Sequence, residues 1–439
     1  MEKKFFRLTF YNVLANLTVP LTGLADTAVL GHLDTHVYMA GVALSEIIFD
    51  YLFWSFGFLR MGTTGLTAQA FGAKDEHKSF LIFYRSLILG CGIGIGILLL
   101  QKPIQQISLK ILHGEISVLI AGMDYYEARI LSAPATLINF VLTGWFLGRS
   151  KSRTVLVATI LANLVNIGLN FWFVLYLDWR AWGAGFATSI SQYLMTGFFL
   201  CFLFLEKRRI GLKRSSLSES IFSLSGFGDL LSLNRDILFR TVMLITTFSL
   251  FRNFSSEFGS TYLAANAILH QLVLVAAYWM DGAAIATETI AGDTKGKGDF
   301  QGLSSLLKLA LLSAGIIAFL FCVALTLFPT QLFSMITRNV PVLELAISYR
   351  LWLWPVLIFG SIAFIFDGFF LGISDGKTLR NAMIISTLVF FLPFALWGKE
   401  ASSNHILWLS LSSFMFGRAL TLGVAAARKI RDSIPLLQR

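Results

Sequence analysis

Asp26 is the residue whose surroundings most demand a chemical explanation. It lies in Leu14–Leu30, a stretch with no other charge that is long enough to cross a bilayer. An ionised carboxylate at hydrocarbon depth costs roughly 3 kcal/mol on insertion scales and more in simulation, so it is rarely incidental. Pro20 precedes it in the same stretch, removes a backbone donor and predicts a kink in the helix. A buried acid beside a helix break is chemistry for taking up and releasing a small cation. Asn163, Asn166 and Asn170 form a second polar group, spaced three and four apart and therefore on one helical face. Unpaired amides in lipid are costly, so that face must point into the protein, either lining a cavity or joining helices.

Further acids stand in apolar surroundings. Glu46 and Asp50 are four apart on one face, with Trp54 a further four on. They would add negative potential that attracts cationic ligands, unless solvent and neighbouring helices neutralise them. Asp281 and Glu288, seven apart, share another face, and Asp367 precedes Gly368 in a third apolar run. Arg240 also sits within an apolar run, where an arginine needs a counter-ion, so an ion pair with one of these three acids is expected. Such a pair is either static or exchanges partners between two conformations. His270, four residues after Asn266, has a side chain that ordinarily titrates near neutral pH, though a lone histidine on a membrane helix is more often a packing residue.

Membrane helices must hold these residues, and the composition supplies them. Of 439 residues, 56% are hydrophobic and 14% charged, whereas a soluble domain carries about 25% charged residues. Apolar windows predict spans near 6–31, 38–70, 79–100, 121–147, 154–176, 182–205, 230–255, 262–291, 303–328, 342–372, 380–397 and 404–427. The expected fold is therefore an all-α polytopic membrane protein of twelve transmembrane helices. The connection from Glu206 to Gly228 is long and basic, and it divides six spans from six. This sets a first lobe at 1–209, a cytoplasmic linker at 210–228 and a second lobe at 229–439. Lysine and arginine favour one set of alternating loops by about four to one, which places both termini in the cytoplasm.

The two halves repeat. Thr143-Gly-Trp-Phe-Leu-Gly-Arg-Ser150 ends the fourth span and Asp367-Gly-Phe-Phe-Leu-Gly-Ile-Ser374 the tenth. Gly62 to Gly72 and Gly282 to Gly292 likewise end the second and eighth. Equal placement on the same side makes the repeats parallel, so the lobes are expected to be pseudo-symmetric about the membrane normal, with a cleft between them.

Several motifs resemble a known family. They are Leu24-Ala-Asp-Thr-Ala-Val-Leu-Gly31, the stretch Phe58 to Asp75, Ala133-Pro-Ala135 and Gly144-Trp-Phe-Leu-Gly148. These are similar to the MATE (multidrug and toxic compound extrusion) transporters. Leu263-Ala-Ala-Asn-Ala-Ile-Leu269 and Tyr278-Trp-Met-Asp-Gly-Ala-Ala-Ile-Ala-Thr-Glu288 resemble the DinF-like branch. The resemblance covers nearly the whole chain and implies efflux of organic, often cationic, compounds by cation antiport. It implies that Asp26 couples cation entry to export, with Asn166, Asn170 and Thr188 as its polar partners. Many relatives carry Asp where this chain has Asn170, which favours a proton over sodium; a sodium ion, if bound, would take the same four residues. Asp50, Asn163, Arg240, Tyr278, Asp281, Glu288 and Asp367 are the candidates for a substrate cleft, Asp367 by its likeness to acids of the second lobe in NorM-like relatives.

Other classes fit less well. Cys91, Cys201 and Cys322 fall singly in apolar runs, which suggests neither a disulfide framework nor a zinc site. Gly90 to Gly96 lies mid-span with no strand before it, and Gly292 to Gly298 lacks the spacing of a phosphate loop. The net charge of +10 belongs to the loops and implies no nucleic-acid partner. No enzyme is expected, and no cofactor beyond H+ or Na+ as coupling ion. A lipid or lipid-linked-glycan flippase is the alternative within transport, and it would need an arginine-lined cavity. The expected partners are small organic substrates and the bilayer, with a working monomer in the inner or plasma membrane of a bacterium.

Overall fold

The computed structural model describes residues 1–33, 35–111, 114–210 and 224–433. The side chains of 19–22, 24, 25, 27, 111, 209, 210, 224, 225 and 433 lie outside the description. Among the described residues the regular structure is entirely helical. Helix α1 (Glu2–Leu30) is followed by α2 (Val37–Gly72), α3 (Glu76–Leu99), α4 (Ile116–Gly148), α5 (Ser152–Tyr176) and α6 (Arg180–Arg208). The second half holds α7 (Gly226–Ser256), α8 (Ser260–Gly296), α9 (Phe300–Leu327), α10 (Val340–Gly372), α11 (Gly376–Glu400) and α12 (Asn404–Asp432). Eleven of these, α2 to α12, are long and apolar enough to cross a membrane, and α1, with 29 residues, is the twelfth long helix. The expected architecture of twelve transmembrane helices holds, with span limits shifted by a few residues. Pro20 falls within α1, which runs from Glu2 to Leu30 as one helix; its side chain, and with it the expected kink, lies outside the described residues.

The chain divides into two compact units, Leu14–Ser232 and Met1–Val13 with Leu233–Arg439. The N-terminal boundary differs from the expected 1–209, because the first turns of α1 pack with the second half. Lys4 pairs with Asp293 at 2.7 Å, and Asn12 Nδ2 donates to the Gly282 carbonyl at 3.4 Å. Residues 211–223 of the expected linker lie outside the described residues, and helix resumes at Leu224, before the linker's expected end. In each unit one apolar helix forms the core. α4 packs against α2, α3 and α6, while α10 packs against α8, α9 and α12.

Within each unit the core helix is seated by the same steric device. A Cβ at Gly144 would lie 2.5 Å from the Arg60 carbonyl oxygen, and one at Gly148 2.7 Å from that of Thr64. Gly368 and Gly372 meet the carbonyls of Ala284 and Glu288 in the same way. Only glycine lets the backbones approach so closely, as at many membrane helix contacts. Among the described residues five helices, moreover, end in the same cap, α11 through the Ser403 amide on the Gly398 carbonyl at 2.9 Å with Ser402 at φ 48°. In the other four the amides of Asp75, Lys151, Asp299 and Asp375 bond to the carbonyls of Ala70, Phe146, Thr294 and Phe370, five residues back, at 2.9 to 3.1 Å. The residue before each has positive φ, at Lys74 (58°), Ser150 (60°), Gly298 (72°) and Ser374 (57°). This is the Schellman geometry, and it satisfies carbonyls the helix leaves unpaired. Asp75, Asp299 and Asp375 then cap the next helix, accepting from the amides of Lys78, Gly302 and Thr378.

Candidate functional site

Four polar side chains from three helices meet in one network, Asp26 with Asn166, Asn170 and Thr188. The i, i+4 spacing on α5 stacks Asn166 and Asn170 on one face, as expected from the sequence. Asn170 Nδ2 donates to Asp26 Oδ1 at 2.6 Å and lies 3.1 Å from Asn166 Oδ1. Asn166 Nδ2 donates to Thr188 Oγ1 at 3.1 Å. The Thr188 hydroxyl has a single hydrogen and two acceptors for it, the Ala184 carbonyl at 3.1 Å and the Asp26 carboxylate. None of the four side chains is more than 8% exposed. Directly after Asn170, α5 leaves α-helical geometry for a π-helical turn, Phe171–Tyr176, a local unwinding that often accompanies functional sites.

Asn170 is used on one side only. Both its amide hydrogens have acceptors, yet its Oδ1 is buried and finds no donor among the described residues. A buried carbonyl-type oxygen without a donor is costly, typically about 1–3 kcal/mol. Beside a carboxylate, it is a place to receive either the hydrogen of a protonated acid or a bound cation. Asn163 does not join this network; its Nδ2 donates to the Thr18 carbonyl at 3.0 Å and ties α5 to α1 below Asp26.

A second buried acid lies in the other unit. Asp367 of α10 accepts from Arg240 of α7 and Arg418 of α12, both on Oδ2, with Arg418 Nη2 at 2.5 Å. The three are at most 6% exposed. Arg418 also lies over the rings of Phe364 and Phe414, with centroids 5.5 and 5.6 Å away. Of the other cleft candidates, Glu288 is buried on α8, Tyr278 and Asp281 are half-buried on the same helix, and Asp50 is exposed on α2. His270 contacts Arg252 at 3.3 Å and sits edge-on to Phe248. No three His, Cys, Asp or Glu side chains cluster as a metal site among the described residues.

Two arginines escaped the sequence reading. Arg129, on α4, pairs with Glu46 at 3.5 Å, and Arg418 completes the Asp367 group. The signal was the one applied to Arg240, an arginine inside an apolar run, and it was present at both positions.

Comparison with known proteins shows which family and fold the chain shares. The MatE family profile matches residues 12–172 and again 237–397, one match in each half. DNA damage-inducible protein F of Escherichia coli is 35% identical over 433 residues, spanning 98% of this chain and 93% of that protein. The probable multidrug resistance protein NorM of Thermotoga maritima is 23% identical over 363 residues, 79% of this chain and 74% of that protein. Among solved structures, a MOP superfamily transporter from Pyrococcus furiosus superposes with a TM-score of 0.89 at 19% identity, covering 98% of this chain and 96% of that one.

Proposed function

Because the chain belongs to the MATE family, in its DinF-like branch, we propose that it exports small amphipathic, cationic organic compounds in exchange for a proton bound at Asp26. The protein is a polytopic membrane transporter of the multidrug efflux type and not an enzyme. The observation that carries the coupling reading is the Asn170 Oδ1 atom, buried beside Asp26 without a donor among the described residues. A protonated Asp26 brings the missing hydrogen into that network; loss of the proton returns the carboxylate to the Asn170 and Thr188 donors. Sodium is the poorer fit. Hard cations prefer several oxygens with added negative charge, and here one carboxylate stands among amides and a hydroxyl.

The consequences reach along α1. Its first thirteen residues belong to one unit and the remainder, with Asp26, to the other. A change in the charge of Asp26 therefore acts on a helix that both units share. Exchange of one proton for one monovalent cation moves no net charge, so the pH gradient drives it at about 1.4 kcal/mol, or tenfold, per unit. Any further proton also draws on the membrane potential, at about 2.3 kcal/mol per charge per 100 mV. Both termini lie in the cytoplasm of the plasma membrane on this reading, and the monomer is the working unit. The flippase alternative needs arginines free to hold a pyrophosphate, whereas Arg129, Arg240 and Arg418 are each engaged by a carboxylate.

Dye efflux driven separately by proton and sodium gradients in reconstituted vesicles tests the proposal. A proton gradient alone should drive ethidium movement, and Asp26→Asn should abolish it. Undiminished transport in that variant removes Asp26 from the mechanism.

A further inference from the structure

Beside the Asp26 network, α2 and α4 bring together a charge pair that the coupling scheme above does not use. Tyr125 and Arg129 stack one turn apart on α4, just before its 3-10 turn at Ile130–Ser132. Arg129 Nη1 donates to the Tyr125 hydroxyl at 2.7 Å and lies 3.5 Å from Glu46 Oε1 on α2. The guanidinium rests over Phe49 and Tyr125, 4.6 and 5.4 Å from their centroids, contacts that favour a cation. Arg129 Nε is buried with no acceptor among the described residues. Glu46 Oε1 reaches α1 itself, 3.9 Å from where a Cβ on Gly23 would stand, one turn before Asp26. Asp26 lies within the electrostatic reach of both Arg129 and Glu46.

We propose that Arg129 is the positioning residue of the Asp26 site and Glu46 its competing counter-ion, so that one guanidinium serves two carboxylates. This rests on the reading of Asp26 as the coupling acid. With Asp26 protonated, Arg129 and Glu46 balance and the set is neutral. When Asp26 releases its proton the set carries one negative charge, and the same guanidinium has two acids to satisfy. Glu46, whose side chain is 34% exposed, then gives way more readily than Asp26, which is 3% exposed. The other charged or titratable groups facing the set are Tyr125 of α4 and Asp50 of α2; α5 and α6 contribute neutral Asn166, Asn170 and Thr188 among the described residues. The arrangement couples the charge of Asp26 to a partly exposed acid on another helix.

Infrared difference spectroscopy on the full-length protein in liposomes, titrated with pH, tests this without any transported ligand. The carboxyl band that vanishes in Asp26→Asn identifies Asp26. Its midpoint should move by about one pH unit to the alkaline side in Arg129→Gln, and to the acid side in Glu46→Gln, as single charges of opposite sign require. Arg129→Lys, which keeps the charge, should stay near wild type. Should Arg129→Gln fail to fold, Glu46→Gln carries the test alone. A band whose midpoint ignores Glu46→Gln, or moves the same way in both charge-removing variants, overturns the proposal and leaves Asp26 coupling standing. If no Asp26-dependent band titrates at all, the coupling reading and this one fall together.

Discussion

Asp26 and Asp367 are both buried aspartates on membrane helices, and the two units neutralise them by opposite means. Asp26 is solvated by neutral donors, the Asn170 amide and the Thr188 hydroxyl, with Arg129 held nearby by Glu46. Asp367 receives two guanidinium groups on one oxygen. A carboxylate held by amides can gain a proton without leaving a buried cation unmatched. Asp367 cannot, because its neutralisation strands Arg240 and Arg418. The same residue type therefore suits a proton-exchanging role in one unit and a charge-locking role in the other, and the difference lies entirely in the partners.

The largest expected effect separates these roles. Breaking a buried ion pair from one side costs about 3–5 kcal/mol, because a charge is left buried without compensation. Asp367→Asn should lower unfolding stability by that amount in detergent, measured by denaturant or thermal unfolding of the purified protein. Asp26→Asn should cost less than about 1 kcal/mol, since an amide replaces a group already surrounded by neutral dipoles. Its loss should instead appear in coupled transport. Equal destabilisation by the two substitutions breaks the contrast.

A second measurement asks how far the two units share a construction. Gly148 and Gly372 occupy the same joint, with a neighbouring carbonyl where a Cβ would stand. Each glycine-to-alanine change should cost about 1–3 kcal/mol, the range for overpacked contacts. Gly168→Ala, within α5 and with no atom within 4 Å of the added methyl, should be neutral or stabilise by about 0.5–1 kcal/mol through helix propensity. A large cost at Gly148 beside none at Gly372 would show that the two joints carry unequal loads.

Much of this was legible in the sequence for a physical reason. Apolar runs of membrane length and i, i+4 amide spacing are local signals, and they gave the spans and the Asn166–Asn170 face. The glycines of Thr143–Ser150 and Asp367–Ser374 marked the repeat because close approach admits no other residue. What stayed hidden depended on neighbours distant in sequence. Lys74, Ser150 and Ser374 adopt positive φ without being glycine, so a search for glycine caps passes over them. Arg129 and Arg418 were themselves visible in apolar runs, but their acids stand on other helices. The allegiance of Met1–Val13 rests on contacts with residues near Gly282 and Asp293, which no local pattern announces.

The smallest expected effect concerns the repeated caps, at Asp375, where an ion pair with Lys429 adds to the geometry. Asp375 lies between α10 and α11, where burial raises the pKa of its carboxyl, but a hydrogen bond and charge from Lys429 and bonds from Thr378 outweigh it and hold the value below the ordinary one. A folded-state pKa below the unfolded one contributes stability above the unfolded value, about 3.9, which is lost as pH falls through the folded value. Wild-type protein should thus lose an increment of stability on acidification below about pH 4 that Asp375→Asn lacks. Asparagine is itself a good N-cap, so the variant removes the charge and keeps the capping oxygen. Lys429 is about half exposed, at 49%, so solvent screens the pair and the increment should stay within about 0.2–1 kcal/mol and shrink with added salt. Unfolding curves of the two proteins at pH 6 and pH 3.5, each at low and high salt, give the difference directly. An unchanged gap between them across both pH values would mean that the charge of Asp375 adds nothing to the capping hydrogen bond.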